Sequence, residues 1–308
     1  MGPILFTIYT LPLGDLIRAK QVPFEMFADD NQLMDYFRYG DRVESDQVVS
    51  KVEDCISGIG DWLLVNKLAL NAPKTDMANF VSTRRTGSVS TVVVGGQDIP
   101  KSDCVRDLGV WLDTNMTMKK QVSAICRAAS ASLYNIGRVR KFLDQASAER
   151  LVCALVTSRL DCNNGILYGL PDNVIAPLQR IQNWAARIIF RLRKSVHITP
   201  VLHELHWLPV KSRIMYKILL TAYKIQSGLA PRYFDGILRV VPSRRETRSS
   251  GRDRFSVKRT RTRLGDRSLS ACAPVLWNAL PDHMKTCPTI ITFKRQLKSW
   301  LFQKHFLS

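Results

Sequence analysis

Asp29 and Asp30 are adjacent carboxylates that follow a mostly apolar run, Pro23-Phe24-Glu25-Met26-Phe27, with Ala28 between. This pattern predicts a tight turn between two buried strands that presents acids to a divalent metal. Hard cations such as Mg²⁺ take oxygen ligands, commonly one or two carboxylates together with substrate phosphates. Two-metal phosphoryl-transfer sites also draw an acid from a separate strand. Only 28 residues precede Asp29, which leaves almost no room for an upstream strand. An ordinary acidic turn has the same four letters, so the surroundings must decide.

The elements that would position these acids can be read from apolar spacing. Residues 1–37 predict a helix or strand leading into a β-hairpin, with Phe24, Met26, Leu33 and Phe37 flanking the acidic turn. The apolar run 3–13 reads as a buried helix or strand. It is too short for a membrane span and contains Pro3 and Pro12. Residues 47–70 place Val48, Val52, Cys55, Ile59 and Trp62 at helical spacing. Met77–Val81, Val92–Val94 and Val105–Leu112 are β-type runs, and Gly95-Gly96 is a turn signal. Beyond residue 116 the pattern turns helical: 117–141, 145–160, 174–193 and 211–226. On 174–193 an apolar stripe of Leu178, Ile181, Ala185 and Ile188 opposes Arg180, Arg187 and Arg191, a basic row that suits either a phosphate backbone or plain solvation. Residues 242–267 hold 10 Lys/Arg and 3 acids with few large apolar residues, which predicts a mobile basic linker. There Lys258, Arg259 and Arg261 suit a nucleic-acid-binding arm or a nuclear import signal. Order returns at 269–308.

Further stretches, taken in order, carry a resemblance. Gly2-Pro3-Ile4-Leu5-Phe6 precedes the acidic turn. Asp61-Trp62-Leu63, Asn66-Lys67-Leu68, Lys74-Thr75-Asp76 and Leu108-Gly109-Val110 follow it. Thr157-Ser158-Arg159-Leu160-Asp161, His197-Ile198-Thr199-Pro200, Leu205-His206-Trp207-Leu208-Pro209 and Ala273-Pro274-Val275-Leu276-Trp277 continue it. In order and spacing the chain resembles the C-terminal part of reverse transcriptases from LINE-type, non-LTR retrotransposons of the jockey-like branch. The resemblance implies that Asp29 and Asp30 hold the catalytic Mg²⁺ (or Mn²⁺) ions and that Lys74 protonates the departing pyrophosphate. It implies that Gly2, Pro3 and Phe27 lie where template and nucleotide are positioned. Phe27 stands where many relatives have Tyr. Gly109 falls in the strand pair that grips the primer end. The family's other metal-binding aspartate lies before Gly2, in a strand this sequence does not have, so Met1 reads as an internal codon or the start of a truncated copy.

Charge points the same way. Net charge is +19, but residues 1–116 hold 11 Lys/Arg against 16 Asp/Glu and residues 117–308 hold 34 against 10. An acidic front and a strongly basic back suit a polyanion partner. The 7 Cys are scattered with no C-x-x-C pair, which argues against a disulfide framework or zinc ribbon and for a reducing compartment, nucleus or cytoplasm. No secretory leader is visible at the start. His197, His203 and His206 form a cluster with no Cys or Asp nearby at ligand spacing, so helix capping, packing against Trp207 or RNA contact suits them better than zinc.

The expected fold is α+β. A partial reverse-transcriptase palm, an antiparallel sheet plus helix, covers 1–116. A helical thumb and post-polymerase region follows at 117–240, then the basic linker at 241–268 and a C-terminal helical segment at 269–308. The resemblance implies RNA-directed DNA synthesis by the intact parent, with RNA template, DNA primer or target and dNTP as partners and no membrane. The isolated chain is expected to be inactive. A non-catalytic basic nucleic-acid-binding protein, or the translation of a decayed element, are the alternatives.

Overall fold

Leu13 and Ile17, one helical turn apart, fold the first segment onto the chain that follows. The computed structural model describes residues 2–38, 40–81, 89–241 and 254–306. In it the segment is helix α1 (Gly2–Ala19). Leu13 and Ile17 share a core with Val22, Cys55 and Ile59, the last two from α2 (Arg42–Val65). Lys20 pairs with Asp54 at 2.7 Å, while the Tyr9 hydroxyl donates to the Asn66 carbonyl at 2.6 Å. The two helices are therefore antiparallel, and α2 ends opposite Tyr9. The turns before Tyr9 run past that end, which leaves Ile4 (68% exposed), Leu5 and Ile8 in solvent. The expected burial of 3–13 holds only from Leu13 onward and at Thr10. Asp41 starts α2 by accepting the Glu44 N–H at 3.0 Å, as an N-cap acid does.

The chain forms an α+β fold with small antiparallel sheets and helical regions. It divides into two compact units, Met1–Met116 and Thr117–Ser308. In the first, β1 (Phe24–Phe27) pairs with β2 (Asp30–Leu33), β3 (Thr91–Val94) with β4 (Gln97–Pro100), and β5 (Cys104–Asp107) with β6 (Val110–Asp113). These are three separate two-stranded ladders, so the single antiparallel sheet expected for a palm is corrected. Each strand has four residues, and the hairpins find apolar cover separately. Phe24, Met26 and Leu33 pack on the α1–α2 core. Val92 and Val94 pack with Val49 and Ile56 of α2. Gly95 and Gly96 make the expected turn with φ of +57° and +76°. The run 105–112, expected as one strand, is a hairpin, because Leu108 (φ +41°) and Gly109 (φ +84°) reverse it. Met77–Val81 forms no strand among the described residues; it contributes an isolated bridge, Met77 to Lys101, and a bond from the Val81 N–H to the Thr114 carbonyl at 3.0 Å.

The second unit is helical. Helix α3 (Lys119–Val139) is followed by α4 (Gln145–Val152), a π-helical turn over Cys153–Thr157 and α5 (Ser158–Asp161). The helix expected over 145–160 is thus interrupted. Then come α6 (Asp172–Phe190), α7 (Thr199–Glu204), α8 (Val210–Gln226), α9 (Arg263–Asp266), α10 (Leu269–Asn278), α11 (Asp282–Lys285) and α12 (Ile290–Phe306). Ala129, Leu133 and Ile136 of α3 and Leu178, Ala185 and Ile189 of α6 are buried, in register with the helical period. Tyr223 of α8 stacks on Phe293 of α12 at 4.3 Å and donates its hydroxyl to the Cys287 carbonyl at 2.9 Å. Trp277 of α10 is fully buried, with Phe255 at 5.6 Å and Phe293 at 5.8 Å. Phe255 lies in the segment expected as a mobile linker. It is 2% exposed and bridges to Val240. Within 254–267 one large apolar side chain thus anchors an otherwise polar stretch. Residues 242–253 of the linker lie outside the described residues. Among the described residues no helix is long and apolar enough to cross a membrane.

Candidate functional site

The acidic turn is built as the apolar flanks require. Phe27 pairs with Asp30 across β1 and β2, leaving Ala28 and Asp29 as a two-residue loop. Ala28 takes φ +56°, a left-handed conformation that costs a residue with a Cβ of order 1 kcal/mol or more. Asp29 and Asp30 are both exposed, and neither forms an ion pair among the described residues. Phe27 is exposed too. The strands beside the acids are therefore not buried on both faces, as the sequence pattern suggests, because the β1–β2 ladder has no third strand.

Asp107, the last residue of β5, was not singled out by sequence reasoning. The Gln32 side-chain amide donates to its carboxylate. Gln32 lies two residues beyond Asp30, so both side chains leave the same face of β2. Burial pushes the Asp107 carboxyl above its ordinary range, and the negative charge of Asp30 pushes in the same direction. The structure thus brings Asp30, Gln32 and Asp107 together. The available signal was Asp107 standing directly before the Leu108-Gly109 turn.

Other expected residues lie elsewhere. Lys74 ends the short 3₁₀ turn Ala72–Lys74, exposed, and no hydrogen bond or ion pair ties it to Asp29 or Asp30. Gly2 and Pro3 open α1 and are exposed; a side chain at Gly2 would meet nothing within 4 Å. Gly109 shapes the β5–β6 turn, again with open space around it.

The basic row of 174–193 is divided. Arg180 is exposed. Arg187 donates to the Val196 carbonyl at 3.2 Å, and its Nε is buried without a partner. Arg191 lies past the end of α6 at φ +54° and donates to the carbonyls of Arg140 (3.1 Å) and Leu143 (3.2 Å). Arg140 answers with bonds to the carbonyls of Ile188 (2.9 Å), Ile189 (2.6 Å) and Leu143 (2.6 Å). Two of the three arginines thus hold backbone. Lys258, Arg259 and Arg261 are exposed. In the histidine cluster, His203 packs against Phe302 (4.9 Å) and Phe306 (5.5 Å) of α12, and His206 lies 5.7 Å from Phe302. Of the tryptophans, Trp207 and Trp277 are buried, and Trp300 lies under Lys304 at 5.0 Å.

The donor set at the turn is of the kind a hard divalent cation takes. Two exposed carboxylates would supply part of its shell and substrate phosphates the rest. Among the described residues no group of three or more His, Cys, Asp or Glu is placed to hold a metal. The turn offers ligands rather than a cage.

Comparison with known proteins agrees in part. No protein-family model matches the chain, and no solved structure matches it. A segment of 197 residues, 61% of the chain, is 26% identical to a probable RNA-directed DNA polymerase from transposon X-element of Drosophila melanogaster. The match spans 21% of that protein's length. The chain therefore shows a distant, partial similarity to a transposon reverse-transcriptase-like protein.

Proposed function

We propose that this chain carries part of the nucleotidyl-transfer machinery of a LINE-type retrotransposon reverse transcriptase. The observation that carries the reading is the β1–β2 turn, which presents Asp29 and Asp30 unpaired in a chain with distant similarity to a transposon RNA-directed DNA polymerase. In this reading Asp29 and Asp30 hold Mg²⁺ or Mn²⁺. Held there, such an ion would supply charge stabilisation to the attacking and leaving oxygens of nucleotide addition. RNA template, DNA primer and dNTP are the partners, and the basic second unit takes up phosphates. Phe27, exposed beside the acids, offers a ring face to the incoming nucleotide, and the Leu108-Gly109 turn offers a contact for the primer. The chain alone is inactive, because two carboxylates of like charge at one turn repel each other without further ligands.

Two readouts test this. Mn²⁺ added with primer–template and dNTP should broaden the NMR signals of Phe27 to Asn31, and Asp29→Asn/Asp30→Asn should abolish the broadening. Broadening that is absent, or that survives the double substitution, would remove the reading. Primer extension on an RNA template should give no product from the chain or from the double variant. Extension lost in the variant would show that the turn works without further ligands.

A further inference from the structure

Residues 254–267 hold six Lys/Arg and one acid, and hydrogen bonds tie the segment down at both ends. The Asn278 side chain accepts the Phe255 N–H at 3.0 Å and donates to the Phe255 carbonyl at 2.8 Å. The Val241 N–H bonds to the Arg254 carbonyl and the Ser256 N–H to the Arg239 carbonyl, each at 2.8 Å. Further along, the Thr262 hydroxyl accepts the Gly265 N–H at 3.0 Å and caps α9. The Thr260 hydroxyl donates to the carboxylate of Asp266, the one acid of the segment. Between these anchors Lys258, Arg259, Arg261 and Arg263 are exposed. None of the four forms an ion pair among the described residues. Lys258 stands between two open clefts, of about 630 and 590 Å³. Arg239 and Asp235 reach the first, and Arg259, Arg263 and Asp266 reach the second.

We propose that this surface binds the sugar–phosphate backbone of a single nucleic-acid strand. Four cations within six residues repel one another, and a polyanion relieves that repulsion while releasing its own counterions. The four cations fall within one short stretch anchored on either side, a narrow patch that suits one strand rather than the two of a duplex. Phe255 is the segment's sole aromatic residue and is buried, so the segment itself offers no ring for base stacking. Contacts confined to phosphates position a strand without reading its sequence. An anionic membrane fits less well, because the four cations do not lie on an amphipathic helix with an apolar face to insert. The inference rests on and deepens the reading in which the basic second unit takes up phosphates, but it needs neither Asp29 nor a primer end, so either can fail alone.

The test measures fluorescence anisotropy of a labelled oligouridylate of about 20 nucleotides with the full chain over a range of NaCl concentrations. Lys258→Gln/Arg259→Gln/Arg261→Gln/Arg263→Gln should lower the slope of log affinity against log salt by about 3, at roughly 0.7 per phosphate contact. A deoxy-oligonucleotide should show the same loss. Arg138→Gln/Lys194→Gln/Lys224→Gln/Lys298→Gln, which removes four other exposed cations of the same unit, should leave most of the slope intact. Should the quadruple variant fail to fold, Lys258→Gln/Arg259→Gln should lower the slope by about 1.4. An unchanged slope overturns the proposal, as does an equal loss in the control variant. Tighter binding of the unaltered chain to phosphatidylserine vesicles than to RNA at the same salt also overturns it.

Discussion

The two units solve the same problem with unequal means. Met1–Met116 is acidic and shares its apolar residues between two small clusters, one on Leu13, Ile17 and Cys55, the other on Val92 and Val94. Thr117–Ser308 is basic and buries Leu133, Leu178, Leu219, Trp277, Phe293 and Leu297 almost completely. Small cores bury less of their surface and are correspondingly marginal. The first unit also leaves Ile4, Leu5 and Ile8 exposed and holds Ala28 and Leu108 at positive φ. The lesson is that the candidate chemistry lies on the weaker scaffold and the candidate phosphate contacts on the stronger.

The sharpest way to break that comparison is Trp277→Ala. Emptying this fully buried site between Phe255 and Phe293 should cost about 3–5 kcal/mol. In denaturant, followed by near-UV circular dichroism and hydrogen exchange, the loss should fall on amides of the second unit and spare those of α1 and α2. A uniform loss across both units would show that they unfold as one. A smaller effect of opposite sign is expected from Ala28→Gly. Glycine takes φ +56° without the Cβ penalty, so the first unit should gain about 1 kcal/mol, read as a raised denaturation midpoint. A loss would mean that unfolded-chain entropy outweighs the strain.

The smallest effect concerns Asp35 and Lys51, 2.8 Å apart. Burial raises the Asp35 carboxyl, but the Lys51 hydrogen bond, the Tyr36 N–H and the Lys51 charge outweigh it and hold the pKa below the ordinary value. A depressed native pKa stabilises the fold above the unfolded pKa, near 4, and that contribution disappears as pH falls through the native value. Asp35→Asn should therefore cost about 0.5–1 kcal/mol at neutral pH and flatten the acid limb of the first unit's stability curve. Identical acid limbs for both proteins would remove Asp35 from the account.

Local signals reached the page intact. The acids at 29 and 30 sit in the turn that their apolar flanks demanded, and Gly95-Gly96 turns the chain where two flexible residues allow it. What escaped depends on partners distant in sequence or on residues acting against type. Asp107 matters through Gln32 and Asp30, some 75 residues away, which no local pattern encodes. Apolar spacing alone read 105–112 as one strand, because leucine occupies a left-handed position usually left to glycine or asparagine, whereas the resemblance implied a strand pair there. Phe255 was one ring among charges, and its pocket against Trp277 and Asn278 exists only once the chain has folded.

Arg140 and Arg191 exchange favours across the end of α6: each guanidinium grips carbonyls beside the other's backbone. Four hydrogen bonds from these two side chains cross between residues 140–143 and 188–191. The corner joining α3 to α6 therefore behaves as a weld and not as a hinge.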